Sequence, residues 1–237
     1  MRSRAGSFVV AAIAAVLLPL SALAAGPYTT GSTGFDVSYP QCGSALPSGT
    51  FAIVGVTGGH AFTQNACFGS EYASATSATP GQVSLYMNLN AAIGSTASEG
   101  LTGPRGTCKR RDKPCVAYNY GWNAASAALS YAAATPGVVT GTSWWLDIET
   151  ANSWNSDPGL NQTTIQGALD GLRAGGATNV GVYSTAFMWN SITGSWNTLL
   201  APVWYPGATC AAASGFTGGP VWLVQTASGA SNGDVAC

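Results

Sequence analysis

Two periodicities alternate along this chain, and that alternation limits its fold more than any other feature. Seven short apolar runs bounded by turn residues read as buried strands: residues 34–38 (GFDVS), 51–57 (FAIVGVT), 83–89 (VSLYMNL), 144–149 (WWLDIE), 179–184 (NVGVYS), 202–205 (PVWY) and 221–225 (VWLVQ). Helical patterns lie between several of them, at residues 65–78, 123–134 (Ala-rich), 163–174 and, less regularly, 187–199. The third is the clearest. Ile165, Leu169 and Leu172 share a face, Asn161 or Thr163 can cap its start, and Gly175 and Gly176 end it. Strands alternating with helices predict an α/β fold with parallel strands. We expect a compact (β/α) TIM-type barrel with reduced helices in its last third. A doubly wound open sheet is the alternative. No G-x-G-x-x-G or G-x-x-x-x-G-K-[ST] follows any strand, which removes the usual nucleotide sites of such sheets. Residues 90–115 read as a long surface loop, and no fixed-period repeat or inter-domain linker is visible.

The N-terminus has the layout of a secretory signal. Arg2 and Arg4 precede an apolar run at residues 8–20, and Ala22-Leu23-Ala24 is a small-residue cleavage site. The run is shorter than the roughly 20 residues that span a bilayer. Residues 1–24 are therefore expected to be a signal peptide and 25–237 a single domain, secreted, monomeric and free of membrane once cleaved. All six cysteines (Cys42, Cys67, Cys108, Cys115, Cys210 and Cys237) follow that site, and an even count in an exported chain reads as disulfides. Pairing between sequence neighbours is the expectation. No C-x-x-C is present and His60 is the only histidine, so no metal and no cofactor is expected.

Charge is scarce, at 7% of residues, against about a quarter in a typical domain. Without Arg2 and Arg4, six basic residues face nine acids. A general nucleic-acid binder needs a basic face, so that class is set aside. The one basic cluster, Lys109, Arg110, Arg111 and Lys113, is either a solvated loop tip or a contact for an anionic surface such as a cell wall. Neutral polar residues, eight Trp and nine Tyr suit carbohydrate, whose sugar faces stack and whose hydroxyls hydrogen-bond, though buried aromatics give the same composition.

With so few carboxylates, their positions are informative. Asp36 ends the first strand, Asp147 and Glu149 end the fourth, and Asp234 lies just beyond the last. Asp147 and Glu149 are two apart on a strand, so they share a face, and Trp145 shares it too. In a barrel that face is the interior, and strand C-terminal ends form the rim where barrel active sites sit. Tyr183 shares parity with Gly181 and could reach the acids. Crowded carboxylates hold at least one proton toward neutral pH, which is what glycoside hydrolysis requires. The bland readings are that Asp147 caps a helix and Glu149 pairs with Arg173, or that the acids hold a metal.

These segments resemble glycoside hydrolase family 25, the barrel muramidases, over most of the mature chain. The order GFDVS, FAIVGVTGG, WWLDIE, NVGVYS, then Gln225 and Asp234, carries the resemblance. GFDVSYPQC (34–42), WWLDIETANSW (144–154) and the final D-x-x-C (234–237) are similar to a set of secreted actinobacterial "glycoside hydrolase-like" proteins. The resemblance implies a lysozyme-like glycosidase acting on peptidoglycan or a related N-acetylated glycan. In it Glu149 matches the general acid, Asp147 the acid that assists the intermediate, and Asp36 and Asp234 the first- and last-strand acids. Tyr86-Met87-Asn88 stands where the family usually has a Tyr-His-Phe-like end to its third strand, and Val224-Gln225-Thr226 where it has Trp-Gln-Tyr. Tyr86, Asn88, Gln225, Tyr183 and Trp145 are the expected substrate contacts. A non-catalytic glycan- or cell-wall-binding barrel and a chitinase-like hydrolase fit the same pattern.

Overall fold

A computed structural model describes residues 26–207, 209–228 and 231–237. The expected signal peptide and its cleavage site lie outside them. In chain order the elements are β1 (Thr33–Val37), β2 (Phe51–Gly55), α1 (Phe68–Ala78), β3 (Val83–Asn88), a small hairpin of β4 (Thr102–Gly103) and β5 (Gly106–Thr107), α2 (Lys113–Ala133), β6 (Ser143–Asp147), α3 (Pro158–Ala174), β7 (Asn179–Tyr183), α4 (Ala186–Thr193), β8 (Val203–Pro206), β9 (Val221–Ser228) and β10 (Ser231–Ala236). Eight strands close into one barrel, in the order β1-β10-β9-β8-β7-β6-β3-β2. Closure excludes the open doubly wound sheet. Neighbours are parallel except around β10, which runs antiparallel to both β9 and β1. The last strands join without helices, so α4 is the final one.

Several details depart from the sequence reading, among them α3, which begins at Pro158 behind an Asp157 cap that accepts from the Gly159 N–H, not at residue 163 behind Asn161 or Thr163. β10 was not expected, because SNGDVA carries one β-branched residue and four turn formers; backbone pairing on both sides holds it. Asp234 therefore sits within a strand rather than beyond one. α2 begins well before residue 123, where the Asp112 side chain accepts from the Cys115 N–H and Pro114 occupies the first turn. α4 ends at Gly194, in the left-handed region at φ +65°, rather than running to residue 199. Residues 90–115 hold a 3₁₀ segment (Gly94–Gly100) and the β4–β5 hairpin.

Strand alternation sorts the apolar residues into two cores. Outward residues such as Phe35, Val54, Leu85, Trp144, Leu146 and Val182 pack under the helices. Inward ones, Phe51, Ile53, Trp145, Trp204 and Leu223, fill the barrel, and Tyr28 closes its N-terminal end. The Tyr28 hydroxyl meets Ser84 Oγ at 2.6 Å and accepts from Trp145 Nε1 at 3.3 Å. Gly181 exists because of Trp145: a Cβ there would come within 2.3 Å of the indole ring. Likewise a Cβ at Gly121 would lie 1.9 Å from the Thr164 carbonyl oxygen, so glycine sets how closely α2 and α3 pack. The packed lower barrel is thus a solid floor beneath its C-terminal rim.

Disulfides join Cys42 to Cys67, Cys108 to Cys115 and Cys210 to Cys237. Bridges of this kind persist in oxidising compartments. Among the described residues no helix is long and apolar enough to cross a membrane.

Candidate active site

Above the floor, the inward positions change from apolar to acidic. Asp36 near the end of β1, Asp147 at the end of β6 and Glu149 two residues later open onto one cleft of about 170 Å³, with Tyr86, Tyr183 and Gln225. It is not the largest concavity on the molecule. Its polar lining, not its size, marks it as the place where chemistry can occur.

Each acid is held from a different strand. Asp36 Oδ1 accepts from Asn232 Nδ2 at 3.0 Å and Oδ2 from Gln225 Nε2 at 2.7 Å. Gln225 Oε1 in turn accepts the Tyr183 hydroxyl proton at 2.8 Å. Asp234, 1% exposed, lies behind Asp36 and accepts from Trp204 Nε1 at 2.8 Å. Asp147 Oδ2 accepts from Asn88 Nδ2. The Asn88 amide is itself oriented by Thr57, whose hydroxyl donates to Asn88 Oδ1 at 2.8 Å and accepts from the Asn88 backbone N–H at 2.8 Å. Trp154 buttresses the turn after β6 by donating Nε1–H to the Glu149 carbonyl at 2.8 Å.

Among the described residues no cation forms an ion pair with this cluster. Arg173, the candidate partner of Glu149, instead lies 3.7 Å from Asp170, the only ion pair among the described residues. No group of three or more His, Cys, Asp and Glu among the described residues is arranged to hold a metal. Burial holds Asp147 well above the ordinary carboxylate range, and the Glu149 charge beside it adds to the effect. Burial also raises Glu149, offset by its hydrogen bond to Asp147. Asp234 is held up in the same way, by burial and then by the Asp36 charge. Burial raises Asp36 as well, with the Asn232 and Gln225 amides opposing it. Asp147 Oδ1 and Asp234 Oδ2 are buried without a donor. A proton on each of those carboxyls, directed to its neighbour, resolves both. The cluster is therefore two carboxyl pairs, each retaining one proton above the usual range.

The structure brings most of the sequence-derived residues together and moves two of them. Trp145 does not reach the cleft: it is 1% exposed, edge-on to Trp204 and Trp222 in the barrel floor. Asn88 stands behind Asp147 rather than at the open surface. Among the participants that were missed, Ser38, Asn232 and Trp204 line the cleft, Trp204 also donates to Asp234, and Thr57 orients Asn88. Thr57 was legible in principle, because it continues the parity of Phe51, Ile53 and Gly55. Asn232 was not, since its strand was not anticipated.

Comparison with known proteins relates this fold to others. A family model described as "Lysozyme-like protein 1" matches residues 120–217, a stretch holding Asp147 and Glu149 but neither Asp36 nor Asp234. A Dictyostelium discoideum protein named "Probable GH family 25 lysozyme 5" is 38% identical over 63 residues, 26% of this chain and 29% of that protein. The match thus spans under a third of that relative's length. The bacterial lysozyme from Streptomyces coelicolor superposes with a TM-score of 0.55 at 20% identity, covering 88% of this chain and 93% of that one. The family GH25 lysozyme from Aspergillus fumigatus gives 0.54 at 15% identity, covering 88% and 95%. The chain thus shares the barrel fold of these family 25 lysozymes, and its residues 120–217 match a lysozyme-like family model.

Proposed function

We propose that this chain is an exported lysozyme-like glycoside hydrolase that cleaves peptidoglycan or a related N-acetylated glycan. The observation that carries the reading is the Asp147–Glu149 pair, two carboxyls retaining a proton at the mouth of a polar cleft with no cation nearby. Export is supported by the N-terminal layout and by three disulfides.

Glu149 is the more exposed member and faces the cleft, so it delivers the shared proton to the glycosidic oxygen. As the C–O bond breaks, positive charge develops on the departing sugar ring. Asp147, now a carboxylate fixed by Asn88, and Asp36, fixed by Asn232 and Gln225, stabilise that charge without moving. In this reading Asp147 also steadies the N-acetyl group of the substrate. Water then adds to the sugar, and Glu149 recovers the proton. Asp234 supports Asp36 from behind.

Incubation of the mature protein with purified peptidoglycan and with chitin, counting new reducing ends, tests this. Wild type should release ends from peptidoglycan preferentially, and Glu149→Gln should not. Equal, baseline release by both proteins, with glycan binding retained, would leave a binding barrel and remove the enzyme. Release from chitin alone would favour the chitinase-like alternative.

A further inference from the structure

A second, different concavity shares no lining residue with the acid cleft. It encloses about 260 Å³ between the segment after β3, the turn after β6 and the start of α2 and α3. Ala91, Ala97, Ala117, Val116 and Leu160 form its apolar wall, and Arg110 and Lys113 stand over it. Both loops that bound it leave the catalytic strand ends. Ala91 follows Asn88 closely and donates its N–H to the Ser153 carbonyl at 2.9 Å. Asn155, on the opposite wall, follows the Trp154 that braces Glu149.

The cations are built in rather than scattered. Half of the chain's eight basic residues fall at positions 109–113, inside the loop closed by the Cys108–Cys115 disulfide. Among the described residues none of them has a carboxylate within ion-pair distance. Asp112 is turned away, accepting from the Cys115 N–H as the α2 cap. Cys108 is buried, and its sulfur accepts from Asn119 Nδ2 at 3.0 Å, anchoring the loop to α2.

We infer that this cavity binds an acidic, alanine-rich peptide branch carried by the glycan substrate; the identity of the glycan rests on the function proposed above. The lining selects that chemistry. No aromatic ring faces the cavity, so it offers no platform for a sugar. Its volume falls below the roughly 300 Å³ at which whole-ligand sites begin, which suits a side branch. Small methyl-bearing walls fit alanine side chains, and two unpaired cations fit free carboxylates. A polyphosphate chain would use the cations and leave the alanine wall empty.

The test is methyl NMR on protein labelled at alanine, titrated with the free pentapeptide L-Ala-γ-D-Glu-L-Lys-D-Ala-D-Ala and with the same peptide amidated at both carboxylates. Saturable shifts at Ala91, Ala97 and Ala117 are expected with the acid form. Affinity should fall about tenfold in the Arg110→Ala/Lys113→Ala double variant and with added salt. Ala97→Leu, which fills the cavity and leaves the charges, should abolish binding. Equal shifts from the amidated peptide, or none at these methyls, would overturn the inference. Binding needs no catalysis, so it can succeed where hydrolysis fails. Conversely, if peptide-bearing and peptide-free glycans are cleaved alike by wild type and double variant, the inference falls and the hydrolase stands.

Discussion

Replacing Thr57 by valine keeps the side chain's shape and removes its hydroxyl. Two buried hydrogen bonds of 2.8 Å disappear, leaving the Asn88 side-chain oxygen and backbone N–H unpaired. At about 1–3 kcal/mol for each buried unsatisfied group, the cost is on the order of 3 kcal/mol. In a domain of this size that lowers Tm by about 6–12 °C. A second consequence is chemical. With its amide free to rotate, Asn88 no longer reliably donates to Asp147, a bond that favours the charged form of that carboxyl. Such a bond is worth about 1.5–3 kcal/mol, and 1.36 kcal/mol corresponds to about one pH unit. The Asp147–Glu149 pair should therefore keep its proton to higher pH. Carbon-13 carboxyl titration reads this directly, and the alkaline limb of reducing-end release reads it in turnover. Thr57→Ser should restore both. A fall in Tm with the pair's titration unmoved would show that Thr57 only packs the barrel, refuting the orienting role.

Three further expectations follow from the same geometry. Asp234 is buried with its pKa raised, so the folded state binds more protons than the unfolded one. Stability is then full below the ordinary carboxylate range and declines as pH rises through the folded value. Asp234→Asn, which can still accept from Trp204 and can donate to Asp36, should flatten that decline in denaturant titrations at several pH values; an unchanged slope would contradict the assignment. Gly181→Ala drives a methyl into Trp145 and should cost about 1–3 kcal/mol by overpacking, seen as a lowered midpoint in urea. Replacing both Cys210 and Cys237 by alanine opens a link across 27 residues and should cost about 3–4 kcal/mol. Because Cys237 ends the segment carrying Asp234, that loss should be accompanied by weaker glycan binding.

Much of the barrel was legible because strand and helix periods differ so plainly. WWLDIE could be read residue by residue: Leu146 and Ile148 face the helices, while Trp145 and Asp147 face inward. Parity alone could not say how deep each inward residue sits, so Trp145 fitted the barrel core or the floor of the cleft alike, and it lies in the core below the cleft. Depth depends on strand stagger and on the indoles of Trp204 and Trp222, which come from distant sequence. β10 was invisible for a related reason. Its composition resembles a turn, and only pairing with β9 and β1 makes it a strand. The consequence reaches the site, because Asn232 and Asp234 project from that strand toward Asp36. The basic loop was seen as a cluster, but the cavity beneath it required the folded positions of Ala91, Ala117 and Leu160.

The central claim is that Glu149 delivers a proton stored with Asp147 to a glycosidic bond. Reducing-end release from peptidoglycan, measured across pH for wild type and Glu149→Gln, tests it most directly. Wild type should stay active well above pH 4.5, the ordinary glutamate value, and lose activity only as the raised pair gives up its proton. Glu149→Gln should be slower by about 10²–10⁴-fold and lack that alkaline limb. A Glu149→Gln rate within a few-fold of wild type, with the limb retained, would contradict the account.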